Sequence, residues 1–302
     1  MRPHETAQLH GRDSVNIHVI GAGKMGLPMA AHLATAGHAV SVADPDPQRL
    51  ALARAQGLAV AHDDGRELAA ADLVLSSLPN DAALLTVAQQ VAACARAGAV
   101  YVDTSTVSPA ASAEAAKVLT PGGVQYLRVT VSGNNKMAEA AQLTLMASGP
   151  RTVWEAVQPV LACLGPNHFY LGEAEQARLM KLVVNLMIAQ TTAMLSEALA
   201  LGRKGGLDWR DMWQVITSSA VASPIVKAKS AQLVERDFTP TFSVEQMIKD
   251  LDLILGAGEA SHVPLLQTAM THKLMHAALA QCDGGDDYAA IIKVVERGAQ
   301  IS

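Results

Sequence analysis

A six-residue glycine loop, Gly21-Ala22-Gly23-Lys24-Met25-Gly26, leaves few folds open because of what flanks it. An apolar run at residues 15–20 precedes it directly, and a helical pattern at residues 25–36 follows. A strand that turns through such a loop into a helix N-terminus is what pyrophosphate binding requires. The first glycine permits the tight turn, the second lets the backbone approach the phosphates, and the third lets helix and strand pack closely. Amides of the first helical turn then face the anion. Asp44 stands 23 residues after Gly21, at the end of a second strand pattern, VSVADPDPQ. A carboxylate there accepts hydrogen bonds from the ribose hydroxyls of a dinucleotide. Pro45, Asp46 and Pro47 bring no Arg or Lys to meet a 2′-phosphate, so NAD is expected in preference to NADP.

Strand patterns at residues 15–20, 39–43, 73–77, 99–103 and 143–147 alternate with helical patterns at 25–36, 47–56, 81–97 and 109–118. Residues 169–171 add a last short strand. This alternation predicts βαβ units, a parallel sheet and right-handed crossovers. From Glu173 the chain runs to Leu201 without Pro or Gly and stops at Gly205-Gly206, which reads as one long helix. Met180, Met187 and Met194 recur every seven residues within it and read as a core stripe. Asp208 can cap a further helix, and no convincing strand follows. The fold class expected is α/β: a leader over residues 1–14, a dinucleotide-binding Rossmann domain over 15–173, and an all-helical domain over 174–302 for substrate binding and self-association as a homodimer or homotetramer.

Aromatic residues make up only 3% of the 302 residues, so Ala, Val and Leu must fill the core, which suits helices packed closely on a sheet. A net charge of −5 offers no general attraction to nucleic acid. Cys94, Cys163 and Cys282 form no Cys-x-x-Cys pair, so neither a disulfide framework nor a metal site is expected, and a cytoplasmic setting is the simpler reading. No run of about 18 uncharged apolar residues occurs, so no membrane span is expected. The first 14 residues are polar and lack a signal peptide's apolar stretch.

Five segments, in order, carry a resemblance to the β-hydroxyacid dehydrogenase family, which includes the 3-hydroxyisobutyrate dehydrogenases. They are GAGKMGLPMAAHL from Gly21, DTSTVSP at 103–109, VSGNN at 131–135, MKLVVN at 180–185 and FSVEQMIKDLDL from Phe242. The resemblance implies an NAD-dependent oxidation of the alcohol of a 3-hydroxy acid. It implies that Lys181 is the general acid/base and that Asn185 orients the substrate oxygen or the lysine. Ser132, Gly133 and Asn134 would bind the substrate carboxylate, and Lys249 would add positive charge near the carboxylate or cofactor. Leu78, Pro79 and Thr106 would line the cofactor beside the glycine loop.

The residues agree with several of these roles. Lys181 and Asn185 are four apart and so share one helix face. A lysine among Leu179, Met180, Leu182, Val183 and Val184 is costly to bury while charged, and desolvation would bring it toward proton transfer at neutral pH. Ser132 and Gly133 offer a hydroxyl and backbone amides to a carboxylate. The chain departs from the family where relatives read Asp-Ala-Pro-Val-Ser-Gly-Gly: Arg128 replaces the acid and Asn134 the second glycine. Asn tolerates left-handed backbone, so the loop is expected to persist, with a nearby cation that alters substrate choice. Two other readings stay open: an imine reductase, which resembles this family in fold, and an NAD-binding module without turnover.

Overall fold

In a computed structural model the structure describes residues 14–62, 65–281 and 283–301. The expected leader therefore lies, but for Ser14, outside the described residues, as does Cys282. The chain begins with β1 (Asn16–Ile20), α1 (Gly26–Thr35), β2 (Ala39–Ala43), α2 (Pro47–Ala55), β3 (Ala59–Val60) and α3 (Arg66–Ala70). It continues with β4 (Leu73–Ser76), α4 (Asp81–Cys94), β5 (Val100–Asp103), α5 (Pro109–Leu119), β6 (Gln125–Ser132) and α6 (Asn135–Glu139). β7 (Thr144–Ser148), α7 (Arg151–Leu161) and β8 (Asn167–Tyr170) complete the α/β part. Six helices follow: α8 (Gln176–Lys204), α9 (Trp209–Ser218), α10 (Pro224–Leu233), α11 (Val244–Ala260), α12 (Leu266–Ala280) and α13 (Ile291–Gly298). The chain forms two compact units, residues 1–181 and 182–302, divided within α8.

One eight-stranded sheet organises the first unit, in the order β3-β2-β1-β4-β5-β6-β7-β8. The order reverses direction between β1 and β4, and ligands of such sheets bind at the carboxyl ends of the strands beside that switch. β1, β4 and β5 carry Val19, Leu75 and Val102 in the core against Leu27, Ala30 and Leu33 of α1 and its neighbours. The sheet is not wholly parallel, because β7 runs antiparallel to β6. Only the short α6 segment joins them, and a parallel return needs a crossover of about a dozen residues or more.

Sequence patterns missed β3, β6, α3, α6 and α7. The omission of β6 matters most. It is an eight-residue strand, QYLRVTVS, buried along nearly its whole length. Arg128 and Thr130 break its apolar run, yet both are buried, at 6% and 0% exposure.

In the second unit, Leu182, Ala189 and Ala193 of α8 pack with Met247, Leu251 and Ile254 of α11 and Met275 of α12. Leu195 and Leu199 pack with Met212 and Trp213 of α9. Among the described residues α8 alone is long and apolar enough to cross a membrane, but Leu182, Ala189, Ala193, Leu195 and Leu199 place its apolar length in the unit's cores. The expected methionine stripe is corrected: Met180, Met187 and Met194 are 39, 63 and 53% exposed. A seven-residue recurrence shows that residues share a face, not which face is covered. The buried face runs instead through Leu182, Asn185, Ala189, Thr192, Ser196 and Leu199.

Candidate active site

Parallel strands deliver their carboxyl ends to one rim, and most of the expected site residues of the first unit stand there. Gly21 follows β1 with φ +96, and a Cβ on it would lie 2.3 Å from the Ser77 carbonyl oxygen after β4. Only glycine fits this left-handed, crowded position. At Gly26 a Cβ would lie 1.9 Å from the Gly21 oxygen, so α1 could not start where it does with any side chain there. Gly23 differs: a Cβ would meet no protein atom within 4 Å. Protein packing does not demand glycine at that position, whereas close approach of a phosphate group does. The N-cap of α1, Met25, makes no side-chain capping bond, and this leaves first-turn amides for an anion.

Asp44 closes the other side of the loop. Its Oδ2 accepts from the Ala22 amide at 2.7 Å and its Oδ1 from the Asp46 amide at 2.8 Å. Ala22 therefore holds Asp44 in place rather than presenting its N–H to a phosphate. Each carboxylate oxygen keeps a further lone pair for a ribose hydroxyl. Lys24 is exposed, Met25 packs partly against the core, and Pro79 is exposed beyond Leu78. The Leu78 amide donates to Ser105 Oγ at 2.8 Å, which ties the loop after β4 to the segment carrying Thr106. The residues present thus fit a dinucleotide on the rim formed by β2, β1, β4 and β5.

Ser132 ends β6, parallel to β5 and so on the same rim. Gly133 takes φ +142, and a Cβ on it would lie 2.7 Å from Leu143 Cδ2. Asn134 is not left-handed as expected. Its φ is −104, and its side chain accepts from the Met137 amide at 3.0 Å to cap α6. Beside it, Asn135 Oδ1 is buried without a hydrogen-bond partner.

Arg128 is a second correction. It pairs with Asp103 in the β5–β6 register, four residues before Ser132. It is buried, forms an ion pair with Glu175, stacks 4.5 Å from the Tyr126 ring centroid and reaches Ser112 Oγ at 3.3 Å. Its charge is spent inside the fold, so it does not supply a cation to the substrate loop.

The pattern reading also missed Arg178, one turn before Lys181 on α8. Its side chain is wholly buried and ion-pairs with Asp103, itself wholly buried. Its guanidinium donates to the Ser105 carbonyl at 2.7 Å, to Tyr126 Oη at 2.9 Å and to Ser112 Oγ at 3.2 Å. Asp103 also accepts from Ser76 Oγ at 2.5 Å and Ser105 Oγ at 2.6 Å. With the Ser76 proton committed to Asp103, Tyr101 donates to Ser76 at 2.8 Å. Burial would pull the guanidinium down, but Tyr126 and Asp103 raise it overall, while burial pushes both tyrosines up. This network fixes the DTSTVSP segment and the start of α8. An arginine in an apolar helix was its signal, since such a charge must find partners if buried.

Lys181 is half-buried, and the apolar neighbours expected to bury it, Leu179, Met180 and Val183, are exposed. One turn on, in the second unit, Asn185 is 6% exposed and its Nδ2 donates to Asp250 Oδ2 at 2.5 Å. A carboxylate only accepts, which settles the amide's orientation and leaves the Asn185 oxygen as the free acceptor. Lys249 Nζ lies 2.8 Å from Asp250 Oδ1 as an ion pair, so the buried Asp250 serves both expected site residues of that unit.

Residues 16–172 match the NAD binding domain of 6-phosphogluconate dehydrogenase. Residues 176–295 match the family described as NAD-binding of NADP-dependent 3-hydroxyisobutyrate dehydrogenase. The chain is 36% identical over 293 residues to the 2-(hydroxymethyl)glutarate dehydrogenase of Eubacterium barkeri, covering 96% of this chain and 97% of that one. It superposes on the 3-hydroxyisobutyrate dehydrogenase of Mycobacterium tuberculosis with L-serine at TM-score 0.85 and 28% identity, covering 94% and 99% of the two chains. An imine reductase from a Pseudomonas species shares the fold alone, at 21% identity and TM-score 0.61, covering 94% and 100%. The chain belongs to the β-hydroxyacid dehydrogenase family and is an NAD(P)-dependent oxidoreductase.

Proposed function

We propose that the protein oxidises the alcohol of a 3-hydroxy acid of the 3-hydroxyisobutyrate type, with NAD preferred and Lys181 as general acid/base. The Lys181–Asn185 pair on α8 carries this reading, with the Asn185 amide pinned by the buried Asp250. The name of the Eubacterium barkeri relative supports the substrate class, because 2-(hydroxymethyl)glutarate is itself a 3-hydroxy acid with a second carboxylate. Asp44, fixed beside the glycine loop by two backbone amides, supports NAD through repulsion of a 2′-phosphate.

The nicotinamide, when bound, supplies the hydride acceptor. Lys181 Nζ takes the proton from the substrate hydroxyl and returns it in the reverse direction. The Asn185 oxygen orients that proton transfer. The Ser132 hydroxyl and the backbone at Gly133 hold the carboxylate, and Lys249 adds positive charge nearby. Leu78, Pro79 and Thr106 line the cofactor with the glycine loop. A second copy of the chain covers the exposed methionine face of α8, giving a dimer or a tetramer.

Lys181→Ala tests the catalytic claim on a panel of 3-hydroxy acids. Turnover falls by ~10²-fold or more, the usual loss for a general acid/base, while NAD affinity stays near that of the parent. Near-normal single-turnover hydride transfer in Lys181→Ala would remove Lys181 from the mechanism.

A further inference from the structure

Three residues with no role so far, Asp252 of α11 and His272 and His276 of α12, come together as potential metal ligands. His272 and His276 are spaced i, i+4 and so share one face of α12. Their ligand atoms and the Asp252 carboxylate all lie within 4.8 Å of one another. His272 Nε2 stands 2.8 Å from Asp252 Oδ1 and 3.2 Å from His276 Nε2. The rings meet edge to face, with centroids 4.4 Å apart and planes at 78°.

Protons serve this arrangement poorly. A single N–H on His272 Nε2 satisfies Asp252, and that nitrogen then has no lone pair to accept from His276. If the nitrogen accepts from His276 instead, its lone pair is committed and it opposes a carboxylate oxygen at 2.8 Å. One ion attracts all three donor atoms at once. Tetrahedral zinc with ligands at about 2.0–2.1 Å places those ligands about 3.3 Å apart, which the two imidazole nitrogens at 3.2 Å meet and the carboxylate at 2.8 Å reaches by a small outward shift of its exposed side chain. Imidazole nitrogens with one carboxylate are ligands for a divalent first-row transition metal rather than for calcium or magnesium. The Asp252 side chain is 60% exposed and that of His272 is 21% exposed, so water can complete the coordination.

We infer that Asp252, His272 and His276 form a surface site for a divalent transition-metal ion, Zn²⁺ in particular, which clamps α11 to α12. The clamp acts on the helix that carries Lys249 and Asp250, two to three residues before Asp252. The site's signal in the sequence is His-x-x-x-His on a helix, and a search for cysteine pairs passes over it.

The test uses the full chain, stripped with EDTA and titrated with ZnCl₂, and reads both bound metal and the thermal unfolding midpoint. One equivalent binds, and the midpoint rises by several degrees as metal is added, because an ion that binds only the folded state stabilises it. His276→Ala and Asp252→Asn, both at exposed ligands and checked for native circular dichroism, lose this equivalent and the midpoint shift. The three cysteines are alkylated beforehand so that thiolates do not contribute. Failure of the parent protein to bind an equivalent at about 100 µM Zn²⁺ overturns the site. So does an equivalent that persists in both variants. Binding with no midpoint shift overturns the clamp.

Discussion

Each half of the molecule buries a cation against an aspartate, and the two pairs are built differently. In the sheet half, Arg178 meets Asp103 with both side chains wholly buried, and five further groups surround the guanidinium and carboxylate. In the helical half, Lys229 of α10 meets Asp287 at 2.5 Å and lies 4.1 Å from the Tyr288 ring centroid. Burial lowers the Lys229 ammonium despite Asp287, whereas Asp103 and Tyr126 outweigh burial at Arg178. A planar fork of five donors can satisfy a carboxylate, a carbonyl and two hydroxyls at once; a compact ammonium cannot. The sheet half therefore secures its strand-end loops through a charge that does not titrate. The helical half uses its pair to hold the α10 helix to the segment before α13.

Arg178→Met breaks this comparison most severely. It leaves Asp103 buried without its cation, a change that costs about 3–5 kcal/mol in comparable pairs. Lys229→Met leaves Asp287 with donors from Thr241 and Ala289 and is expected to cost less. Chemical denaturation of both variants ranks them. Equal losses would show that the wider arginine network adds nothing.

Asp44→Ala acts on the rim of the sheet half alone. Losing a hydrogen bond to a charged group costs about 1.5–3 kcal/mol, so KM for NAD rises by roughly tenfold to a hundredfold and discrimination against NADP relaxes. Steady-state kinetics with both cofactors measures this. A parent protein that prefers NADP would overturn the assignment.

A smaller effect separates the halves by pH. His18 on β1 is 4% exposed and hydrogen-bonds Ser41 Oγ at 2.9 Å. Burial lowers its pKa, with Glu67 opposing in part. Below about 6.5, the ordinary histidine value, the unfolded chain takes up this proton while the folded chain resists it. The stability is thus complete above that value and is lost as pH falls toward the depressed folded value. His18→Gln should flatten part of the acid decline in unfolding midpoint between pH 7 and 5, values within the ordinary titration range of about 5–8 for histidine. An unchanged decline would place the acid sensitivity elsewhere.

The two halves also differ in how much of them could be read before the fold was known. Gly21, Asp44 and Ser132 were legible because parallel strands carry residues that follow them to one rim, so order along the chain already implies proximity. Arg128 was misread because β6 was not recognised as a strand, and a charge in an assumed loop looks available to substrate. Arg178 was passed over because a polar network spanning β4, β5, β6 and α8 has no spacing in the chain. In the helical half, α8 and the Asp208 cap of α9 were legible, but the covered face of α8 was not. A period near 3.6 groups residues without saying which group meets a neighbour.

The smallest expected effect tests that last point. Met187 and Met194 border a groove of about 600 Å³ with Leu266, Met270 and Leu274 of α12. Because both methionines are more than half exposed, Met187→Gln with Met194→Gln should leave the stability of an isolated chain within about 0.5 kcal/mol. Leu182→Ala, on the buried face of the same helix, should cost about 2–5 kcal/mol. If a second copy covers the methionine face, the double variant dissociates at higher protein concentration than the parent does, and its unfolding midpoint becomes less dependent on concentration. Sedimentation equilibrium alongside thermal unfolding at several concentrations separates these outcomes. A large loss of stability in an already monomeric sample would return the methionines to the core. Unchanged association would leave the face uncovered by a second copy.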